Sequence, residues 1–504
     1  MNIIPNDFGE RLTPSYVAFT EKEKLVGNRA KDQIKTNQGN TLYDIKRLIG
    51  KTFNDKYVQE NMKFWPFKLV KDDNSDRILI EVIYKNEKKK LYIEEILALE
   101  LKFLKKIATT YLNQEIEDAV ISIPAYFNLV QRQIVKDAAH IAGLNCLRLV
   151  NDSVLSAITY TFEIRPKNEE NILVFDFGAG HLNVTLMTLE DGLIETVSTG
   201  GNNDLGGEDF VKILMAHCIN EFYKKTDIDI KSSKKAMRRI RDECEKAKRN
   251  LSSSNKAYID IDSLFNGEDL TLEITREKFE QLCEPLFKHC LNVVENVLKD
   301  GKRTKSDIGE IILIGGSSRI PKIKSMLKEY FNSKEISQIL NPQEAVAVGA
   351  TIQAAIVTDV NNDTISKLIL LDVYPFPIGY ETGEGIMSFI SSRNSTFPFT
   401  KYINASTTKD NQTSISLGIF EGENQLCKDN LLLGRFVIDG IKPMPKGKPK
   451  IEIKFEFVAK CIIDITVIEK LSGINKKIQL NFEDYRTSEK ERNRLIEELK
   501  DEDN

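Results

Sequence analysis

The stretch NILVFDFGAGHLNVTLMT, residues 171–188, predicts the element on which the fold is built. A run of apolar residues leads to Asp176, and Gly178 and Gly180 follow. Alternation of apolar and polar residues resumes at Leu182, so we expect a strand, a glycine turn and a second strand. Backbone N–H groups of such a turn can close on a phosphate, and the acid at its start can hold a hydrated magnesium ion.

Three residues interrupt this pattern, namely Ala179, His181 and Asn183. From the residues alone, the stretch is either a working nucleotide clamp or the remnant of one. The distinction depends on which other phosphate-binding residues the chain carries.

The composition is that of a globular protein with more than one domain. The chain has 504 residues, 41% hydrophobic and 29% charged, which allows two or three sizeable cores. The net charge is −4, from 71 basic and 75 acidic residues, and gives no reason to expect a nucleic-acid partner. No apolar run reaches the roughly 20 residues that span a bilayer, and the first residues lack the pattern of a secretory signal. We expect a soluble, cytoplasmic protein.

The seven cysteines are scattered without a CxxC pair, which is typical of reduced thiols. Cys283, His289 and Cys290 lie close together in the sequence. Their spacing favours helix packing over a zinc site.

Residues 1–356 alternate between strand and helix patterns, which is typical of a layered α/β domain. The clearest predicted strands are in EDAVISIPAYF (117–127) and EIILI (310–314), and the clearest helices are QRQIVKDAAHIAGL (131–144) and KKAMRRIRDECEKAKRNL (234–251).

After residue 373 the pattern changes to a period of two. QTSISLGIFEG (412–422), KIEIKFEF (450–457) and IDITV (463–467) all alternate, which predicts a β-sandwich-like domain. Before it, residues 357–366 are polar and typical of a linker.

A short apolar segment, KLILLDV (367–373), follows the polar stretch. Near the end, Ser488 and Glu491 have the spacing of a capping box, so a short helix is predicted to begin there.

Two further segments could face a nucleotide. GGSSRIPKI (315–323) places two glycines between a strand and a helix that begins near Pro321. Glu245, Lys248, Arg249 and Ser252 are spaced to share one face of the helix predicted at 234–251. By pattern alone, a solvated and salt-bridged face explains them more simply.

The chain contains, in this order, LTPSYVAFT, IKRLIGKTF, ISIPAYFN, KDAAHIAGLN, LGGEDF, EKAKRNLSSS, IGGSSRIPKI, NPQEAVAVGA, LILLDV and KDNLLLGRF. These motifs resemble the 70-kDa heat-shock chaperone family over nearly the whole chain, its cytosolic members most of all. The resemblance implies an actin-like α/β ATPase domain and an all-β sandwich that grips extended peptides. It also implies that ATP binding and hydrolysis alternate the sandwich between fast and slow peptide exchange.

By this resemblance we expect an N-terminally truncated ATPase domain at residues 1–356, a linker at 357–372, the sandwich at 373–482 and a short C-terminal helix, a remnant of the family's helical lid, at 483–504. The family's first strand hairpin, most of its lid and its acidic tail have no counterpart in the sequence. Whether Met1 is the true start, or the chain is a truncated or decaying copy, stays open.

The resemblance also assigns a nucleotide site. Lys46 matches a lysine that assists hydrolysis, Asp152 matches a catalytic carboxylate, and Asp176 matches an acid that holds Mg²⁺ through water. The expected contacts to ATP or ADP are Gly178, Gly180, Gly207, Glu208, Asp209, Glu245, Lys248, Arg249, Ser252, Gly315, Gly316, Ser317 and Arg319.

Several positions depart from the family's pattern. Asp152 stands where the family has a glutamate, Ser153 replaces a proline and His181 replaces a threonine. Asn183 and Gln343 each remove a carboxylate. Losing one positioned acid or base typically costs roughly 10²–10⁴ in rate, so we expect impaired hydrolysis.

The expected peptide groove is lined by Tyr380, Thr382, Gly383, Ala405, Thr408, Ile415 and Leu417. Packing of the sandwich alone would also explain Ala405 and Leu417. The Asn-Gly turn that the family carries near Lys460 and Cys461 is absent, and with little lid we expect bound peptide to leave faster. Arg148 and Asp372 match positions that engage J-domain partners.

We therefore expect a chaperone of this family that binds ATP or ADP, Mg²⁺ and exposed hydrophobic segments of unfolded proteins. The alternative is a non-enzymatic protein that passively holds peptides or competes for J-domain partners. The expected partners are extended hydrophobic polypeptides, J-domain co-chaperones and nucleotide-exchange factors. Nucleic acids, membranes and the helical-repeat co-chaperones that capture the family's tail are not expected.

Overall fold

In a computed structural model, the chain is described at residues 2–360, 367–458, 462–480 and 482–501. Its first elements are β1 (Tyr16–Phe19), β2 (Lys24–Val26), α1 (Asn28–Asp32), β3 (Thr41–Tyr43), α2 (Lys56–Asn61), β4 (Lys68–Lys71), β5 (Ile78–Tyr84), β6 (Glu87–Tyr92), α3 (Ile93–Leu112), β7 (Asp118–Ile123), α4 (Leu129–Ile141), β8 (Asn145–Asn151) and α5 (Asp152–Ile164).

The middle of the chain continues with β9 (Glu170–Phe177), β10 (Leu182–Glu190), β11 (Leu193–Asn202), α6 (Gly207–Thr226), α7 (Lys234–Asn250), β12 (Lys256–Phe265), β13 (Glu268–Thr275), α8 (Arg276–Leu282), α9 (Glu284–Asp300), β14 (Glu310–Ile314), α10 (Pro321–Tyr330) and α11 (Ala345–Val357). The last part has β15 (Ile369–Tyr374), β16 (Ile378–Glu381), β17 (Met387–Ser391), β18 (Ser395–Phe397), β19 (Phe399–Ala405), β20 (Ser414–Glu421), β21 (Leu431–Asp439), β22 (Ile451–Val458), β23 (Ile462–Glu469), β24 (Ile474–Gln479) and α12 (Glu489–Asp501).

A six-stranded sheet of order β14-β9-β10-β11-β15-β18 forms the centre of the molecule. β9 runs parallel to β14 and antiparallel to β10, so the predicted strand, glycine turn and strand of residues 171–188 are confirmed. Ile172, Leu173, Val174 and Phe175 are all 0% exposed, as expected for a strand covered on both faces. The mixed α/β architecture is consistent with the expected ATPase fold.

The helix predicted at 131–144 has different ends in the structure. α4 begins two residues earlier, because Asn128 and Gln131 form a capping box in which each side chain accepts the other's backbone N–H, at 2.8 and 3.0 Å. It ends at Ile141, and Gly143 with φ +71° follows. Helix ends depend on these cap contacts, which the periodicity does not record.

Two four-stranded sheets, of order β17-β16-β20-β21 and β19-β22-β23-β24, form the region where alternation predicted a sandwich. Ile453 and Phe455 of β22 and Ile465 of β23 are 0% exposed, and they share a core cluster with Ile419 of β20. The alternating strands therefore bury one face each between the two sheets.

The apolar segment KLILLDV is partly a strand. β15 runs parallel to β11, with Ile369 opposite Leu193 and Leu371 opposite Glu195. Part of the stretch expected as a linker at 357–372 therefore lies within the central sheet, whereas residues 361–366 lie outside the described residues.

The predicted C-terminal helix is α12, and Ser488 Oγ accepts the N–H of Glu491 at 3.2 Å at its start. α12 packs against α4, and its Leu495 and Leu499 are 1% and 3% exposed. The helix therefore lies on the α/β part. Within the described ranges, none of the helices has the length and apolar character needed to cross a membrane.

Candidate functional site

Two glycine segments meet at one edge of the central sheet. Because β9 and β14 are parallel neighbours with Asp176 opposite Ile314, the residues after both strands emerge side by side. Gly315 has φ +80°, and a Cβ there would lie 2.4 Å from the carbonyl oxygen of Phe177. Only glycine fits this approach, so the two segments pack backbone to backbone.

A third glycine segment, at the start of α6, closes on the first. Gly207 N donates to the carbonyl oxygen of Gly178 at 3.0 Å, and Glu208 N donates to that of Ala179 at 2.9 Å. A Cβ at Gly206 would lie 2.3 Å from the same Ala179 oxygen. The three segments therefore meet at one junction, with backbone packed against backbone.

Side chains from α7 and from the segment after β14 reach this junction. A Cβ at Gly207 would lie 2.4 Å from Ser317 Oγ and 3.1 Å from Lys248 Nζ. A Cβ at Gly316 would point into open space, with Gln343 Nε2 4.0 Å away. Arg319 is exposed at the end of the turn.

The face predicted on α7 is confirmed for three of its four residues. Glu245 forms ion pairs with Lys248 at 2.7 Å and Arg249 at 2.6 Å, and Lys248 Nζ also donates to the Gly207 carbonyl oxygen at 3.1 Å. Burial acts to raise the pKa of Glu245, but the charges and hydrogen bonds of Lys248 and Arg249 together outweigh it and the pKa is lowered. Ser252 was expected on the same helix, but it lies in the turn beyond it, because α7 ends at Asn250.

Asp152, Asp176 and His181 form a buried cluster beside the glycine segments. Asp152 is the first residue of α5, Asp176 lies near the end of β9, and His181 directly precedes β10. His181 Nε2 lies 3.1 Å from Asp176 Oδ2 and 3.9 Å from Asp152 Oδ2. One ligand atom from each residue lies within 4.8 Å of the others.

The two carboxylates of the cluster have opposite pKa shifts. Burial raises the pKa of Asp152, and the charge of Asp176 acts in the same direction. For Asp176 burial also acts to raise the pKa, but the charge and hydrogen bond of His181, the hydrogen bond of Asn183 and the charge of Lys46 together outweigh it and hold the pKa below its usual value. The charge of Lys46, which is itself exposed, favours the ionised form of both.

Asn183 holds Asp176 from the other side. Its Nδ2 donates to Asp176 Oδ2 at 3.1 Å, and its Oδ1 accepts the N–H of Tyr126 at 3.1 Å. The same carboxylate oxygen of Asp176 thus faces donors from both Asn183 and His181.

Two arginines, which the sequence did not single out, hold the expected acids of α6. Arg47 is 3% exposed and binds Asp209 at 2.6 Å, and Arg241 binds both oxygens of Glu208 at 2.9 Å. Arg47 therefore closes the site from the side of β1–β3. Its position beside Lys46 in IKRLIGKTF was the available signal, but its partner is 162 residues away in the sequence.

The apolar residues expected at the peptide groove divide between the two sheets of the β part. Tyr380 in β16 and Ile415 in β20 are half-buried, as is Ala405 in β19 of the other sheet. Leu417 is 5% exposed and belongs to the core between the sheets.

The polar and glycine positions of that groove lie beside the strands. Thr382 is half-buried, Thr408 is exposed, and the side-chain position of Gly383 faces open space. The absent turn near Lys460 and Cys461 lies outside the described residues.

The two positions expected to engage J-domain partners differ in access. Arg148 in β8 lines a cavity of about 1340 Å³ bounded by α3, α4 and α12. Asp372 is 8% exposed and accepts Asn151 Nδ2 at 2.8 Å, and burial raises its pKa.

The expected helix packing around α9 agrees with the structure. Cys283 and Cys290 are both 0% exposed within a core cluster. His289 Nε2 lies 3.1 Å from Asn202 Nδ2 instead of facing the two thiols in a metal cluster.

Comparison with known proteins gives a consistent result. The family model described as Hsp70 protein matches residues 1–504. The heat shock 70 kDa protein of Trichophyton rubrum is 44% identical over 499 residues, which are 99% of this chain and 76% of that protein. The corresponding protein of Neurospora crassa is 45% identical over 505 residues, covering 99% and 78%. Heat shock cognate 70 kDa protein 3 of Dictyostelium discoideum is 43% identical over 500 residues, covering 99% and 79%.

Proposed function

This chain belongs to the Hsp70 family, and from that premise we propose that it is a cytoplasmic chaperone that binds ATP or ADP at the glycine segments and extended hydrophobic peptides on its β sheets. We propose further that its ATP hydrolysis is impaired. The convergence of three glycine segments on one junction beside Lys248 and Ser317 carries the proposal.

The glycine segments suit a phosphate chain because they bring backbone close to backbone without side chains between them. Lys248 adds a positive charge beside Gly207. The exposed Arg249 and Arg319 and the open Gly316 border the space where a base and ribose would lie. In this proposal they bind the adenosine half of the nucleotide.

Asp152 and Asp176 fit a hydrated Mg²⁺ by donor type, since that ion prefers carboxylate oxygens and retains water. Bound Mg²⁺ supplies positive charge to the phosphates. The residues around the two acids support impaired hydrolysis, however. One oxygen of Asp176 already faces His181 and Asn183, both at 3.1 Å, where the family pattern has a threonine and a further carboxylate.

The β part supports peptide binding through partly buried apolar side chains. Tyr380, Ile415 and Ala405 keep apolar surface on two facing sheets. α12 packs on α4, which leaves these sheets without a helix of their own among the described residues. Peptides are therefore proposed to exchange quickly in this arrangement.

The central sheet supports coupling between the two sites. It runs without a break from β14 and β9, which carry the glycine segments, to β15, which leads into the β part. Because Asn151 donates to Asp372 of β15 at 2.8 Å and Asp152 is the next residue, the acid cluster is also adjacent to this strand.

Arg148 supports the proposal of J-domain partners, because it remains accessible at the cavity beside α12. Asp372 is buried in this arrangement and would join such a contact only after β15 leaves the sheet. Nucleotide-exchange factors are proposed from family membership alone.

A passive peptide holder is the second candidate function, and the occupied oxygen of Asp176 is the observation that favours it.

Titration with a fluorescent ADP derivative tests the nucleotide site directly. Lys248→Met should weaken ADP binding roughly 10–100-fold, because one hydrogen bond to a charged group contributes a free energy that corresponds to this change in affinity. Lys246→Met is the matched control, because Lys246 is on the same helix but is exposed and pairs with Glu243. Equal affinity for both variants, or no binding by the unaltered protein, would contradict the proposed site.

A further inference from the structure

Asp152, Asp176 and His181 are brought together by three different elements, and each offers one ligand atom within 4.8 Å of the other two. A transition metal ion bonds to nitrogen and oxygen at about 2.0–2.2 Å, so two of its ligands lie up to about 4.2 Å apart. The separations of His181 Nε2 from the two carboxylates, 3.1 and 3.9 Å, fall within that span. Two of the three separations therefore match a single ion, and the two carboxylates, which lie within 4.8 Å of each other, need to approach by at most about 0.6 Å for one ion to contact all three side chains.

From this geometry we propose that the chain binds a divalent transition metal ion, of the Zn²⁺ or Co²⁺ type, directly through two aspartates and one histidine. This site differs from the hydrated Mg²⁺ that the family resemblance implies, because an imidazole nitrogen bonds to the ion. Nitrogen ligands suit Zn²⁺ and its neighbours, whereas Mg²⁺ prefers oxygen alone.

The three side chains are buried, with 11%, 10% and 5% of their surfaces exposed for His181, Asp152 and Asp176. His181 Nδ1 is buried and has no hydrogen-bond partner among the residues that the structure describes. The imidazole is therefore held through Nε2, the atom that faces both carboxylates.

Supporting contacts fix the acid that lies closest to the histidine. The amide of Asn183 is anchored by the N–H of Tyr126 and donates to Asp176. This contact persists when an ion replaces the hydrogen bond between His181 and Asp176. Amide and backbone partners of this kind orient ligands in metal sites.

The backbone of Gly178 packs against the imidazole of the site. A Cβ at Gly178 would lie 3.1 Å from Cε1 and 3.4 Å from Nε2 of His181, so a glycine here lets the chain pass close to the ring and hold it in place. Three protein ligands are the number that catalytic zinc sites use, with water or another oxygen ligand in the fourth position. All three protein ligands come from the chain itself, so this inference does not rest on the proposed nucleotide binding.

Co²⁺ is the probe for the test, because its visible absorption reports ligand type and geometry. The full chain, stripped of metal with a chelator and free of nucleotide, should bind one Co²⁺ with a d–d spectrum typical of four or five nitrogen and oxygen ligands. Zn²⁺ should displace it at a stoichiometric amount, and excess Mg²⁺ should not.

His181→Thr should abolish this spectrum. It should also weaken Zn²⁺ binding, measured by calorimetry, by more than the roughly 10–100-fold that the loss of a supporting residue costs. His140→Thr is the matched control, because His140 is exposed on α4 and away from the cluster. Equal binding by the His181 variant, displacement by Mg²⁺, or a thiolate charge-transfer band would overturn the proposal. A thermal unfolding curve of each variant verifies that both proteins are folded.

Discussion

Glu421, at the end of β20, joins three parts of the molecule through one carboxylate oxygen. It is 4% exposed and accepts the hydroxyl of Tyr374 at 2.7 Å and the N–H of Leu129 at 3.2 Å. Burial raises its pKa to about 7. The β part is thus attached to β15 and to the start of α4 at a group that titrates near neutral pH.

Because the pKa of Glu421 is higher in the folded protein, its titration should lower the free energy of unfolding as pH rises. Between the ordinary pKa of glutamate and about 7, the folded protein binds more protons here than the unfolded chain does. The free energy of unfolding should therefore fall as pH rises through this window and stop changing above it. Glu421→Gln keeps an acceptor oxygen without the charge and should gain about 1–3 kcal/mol relative to the unaltered protein between pH 5 and pH 8.

Urea denaturation of both proteins at each pH measures this difference. Burial also raises the pKa values of Glu95 and Glu100 to about 7, so only the difference between the two proteins isolates Glu421. An identical pH slope with and without the substitution would show that Glu421 does not titrate in this range.

Restoring the family pattern beside Asp176 should raise hydrolysis. The double substitution His181→Thr and Asn183→Asp removes both side-chain donors from Asp176 and supplies a second carboxylate. We expect single-turnover ATP hydrolysis to rise by a factor on the order of 10²–10⁴, the range of one positioned acid or base. A rate that stays at the level of the unaltered protein would show that these two positions do not limit it.

The nucleotide site shows which residue contacts could be predicted from the sequence and which could not. Glu245, Lys248 and Arg249 share a helix face because a local period of 3.6 places them there. Asp176 and His181 are five residues apart, yet the cluster needs Asp152 from a different element. In the sequence His181 is therefore only a replacement for the family's threonine, because folding is needed to bring the three side chains of the cluster together.

At the scale of elements, β15 departs most from what the sequence predicted. Its backbone joins the central sheet, and Ile369 N donates to the Gly192 carbonyl oxygen at 3.0 Å. Strands such as β9, β14 and β22 could be predicted from local alternation or apolar runs. The docking of β15 could not, because its partner β11 is remote in the sequence and the register depends on tertiary contacts.

Ile369→Pro should release β15, because proline has no N–H to donate to Gly192. We expect trypsin to cleave after Lys367 faster in this variant than in the unaltered protein. Ile369→Val keeps the N–H and serves as control. Equal cleavage rates in all three proteins would mean that β15 does not protect this segment.

α12 is attached to α3 and α4 by polar contacts and by two leucines. Arg486 pairs with Asp137, and Thr487 N donates to Glu94 Oε1 at 3.1 Å. Burial raises the pKa of both Glu94 and Asp137, against the charges of Arg77 and Arg486 respectively.

Leu495→Ala should detach α12, because removing a buried leucine costs about 2–5 kcal/mol and Leu495 is one of the two buried leucines that attach this helix. Amide hydrogen exchange should speed up across residues 489–500 while β9 and β22 keep their protection. Asn493→Ala, at an exposed position of the same helix, should leave exchange unchanged. Protection of α12 in the Leu495 variant would contradict this packing.

At the scale of the whole molecule, the α/β part and the β part contact each other at several points. Tyr126 and Phe376 place their ring centroids 4.5 Å apart, and Arg393 pairs with Asp300 at 3.0 Å. Thr199 N donates to Asn394 Oδ1 at 3.1 Å. A nucleotide that favours or disfavours this contact must, by linkage, change the peptide affinity of the β part by the same coupling free energy.

The release rate of a labelled, extended hydrophobic peptide, with and without Mg-ATP, tests the central proposal most directly. We predict that the peptide binds and that ATP speeds its release, and that Lys248→Met shifts this effect to higher ATP concentration while Lys246→Met does not. Release that ATP leaves unchanged would contradict coupling and leave a passive holder. A folded protein that binds no peptide would contradict the proposed chaperone function itself.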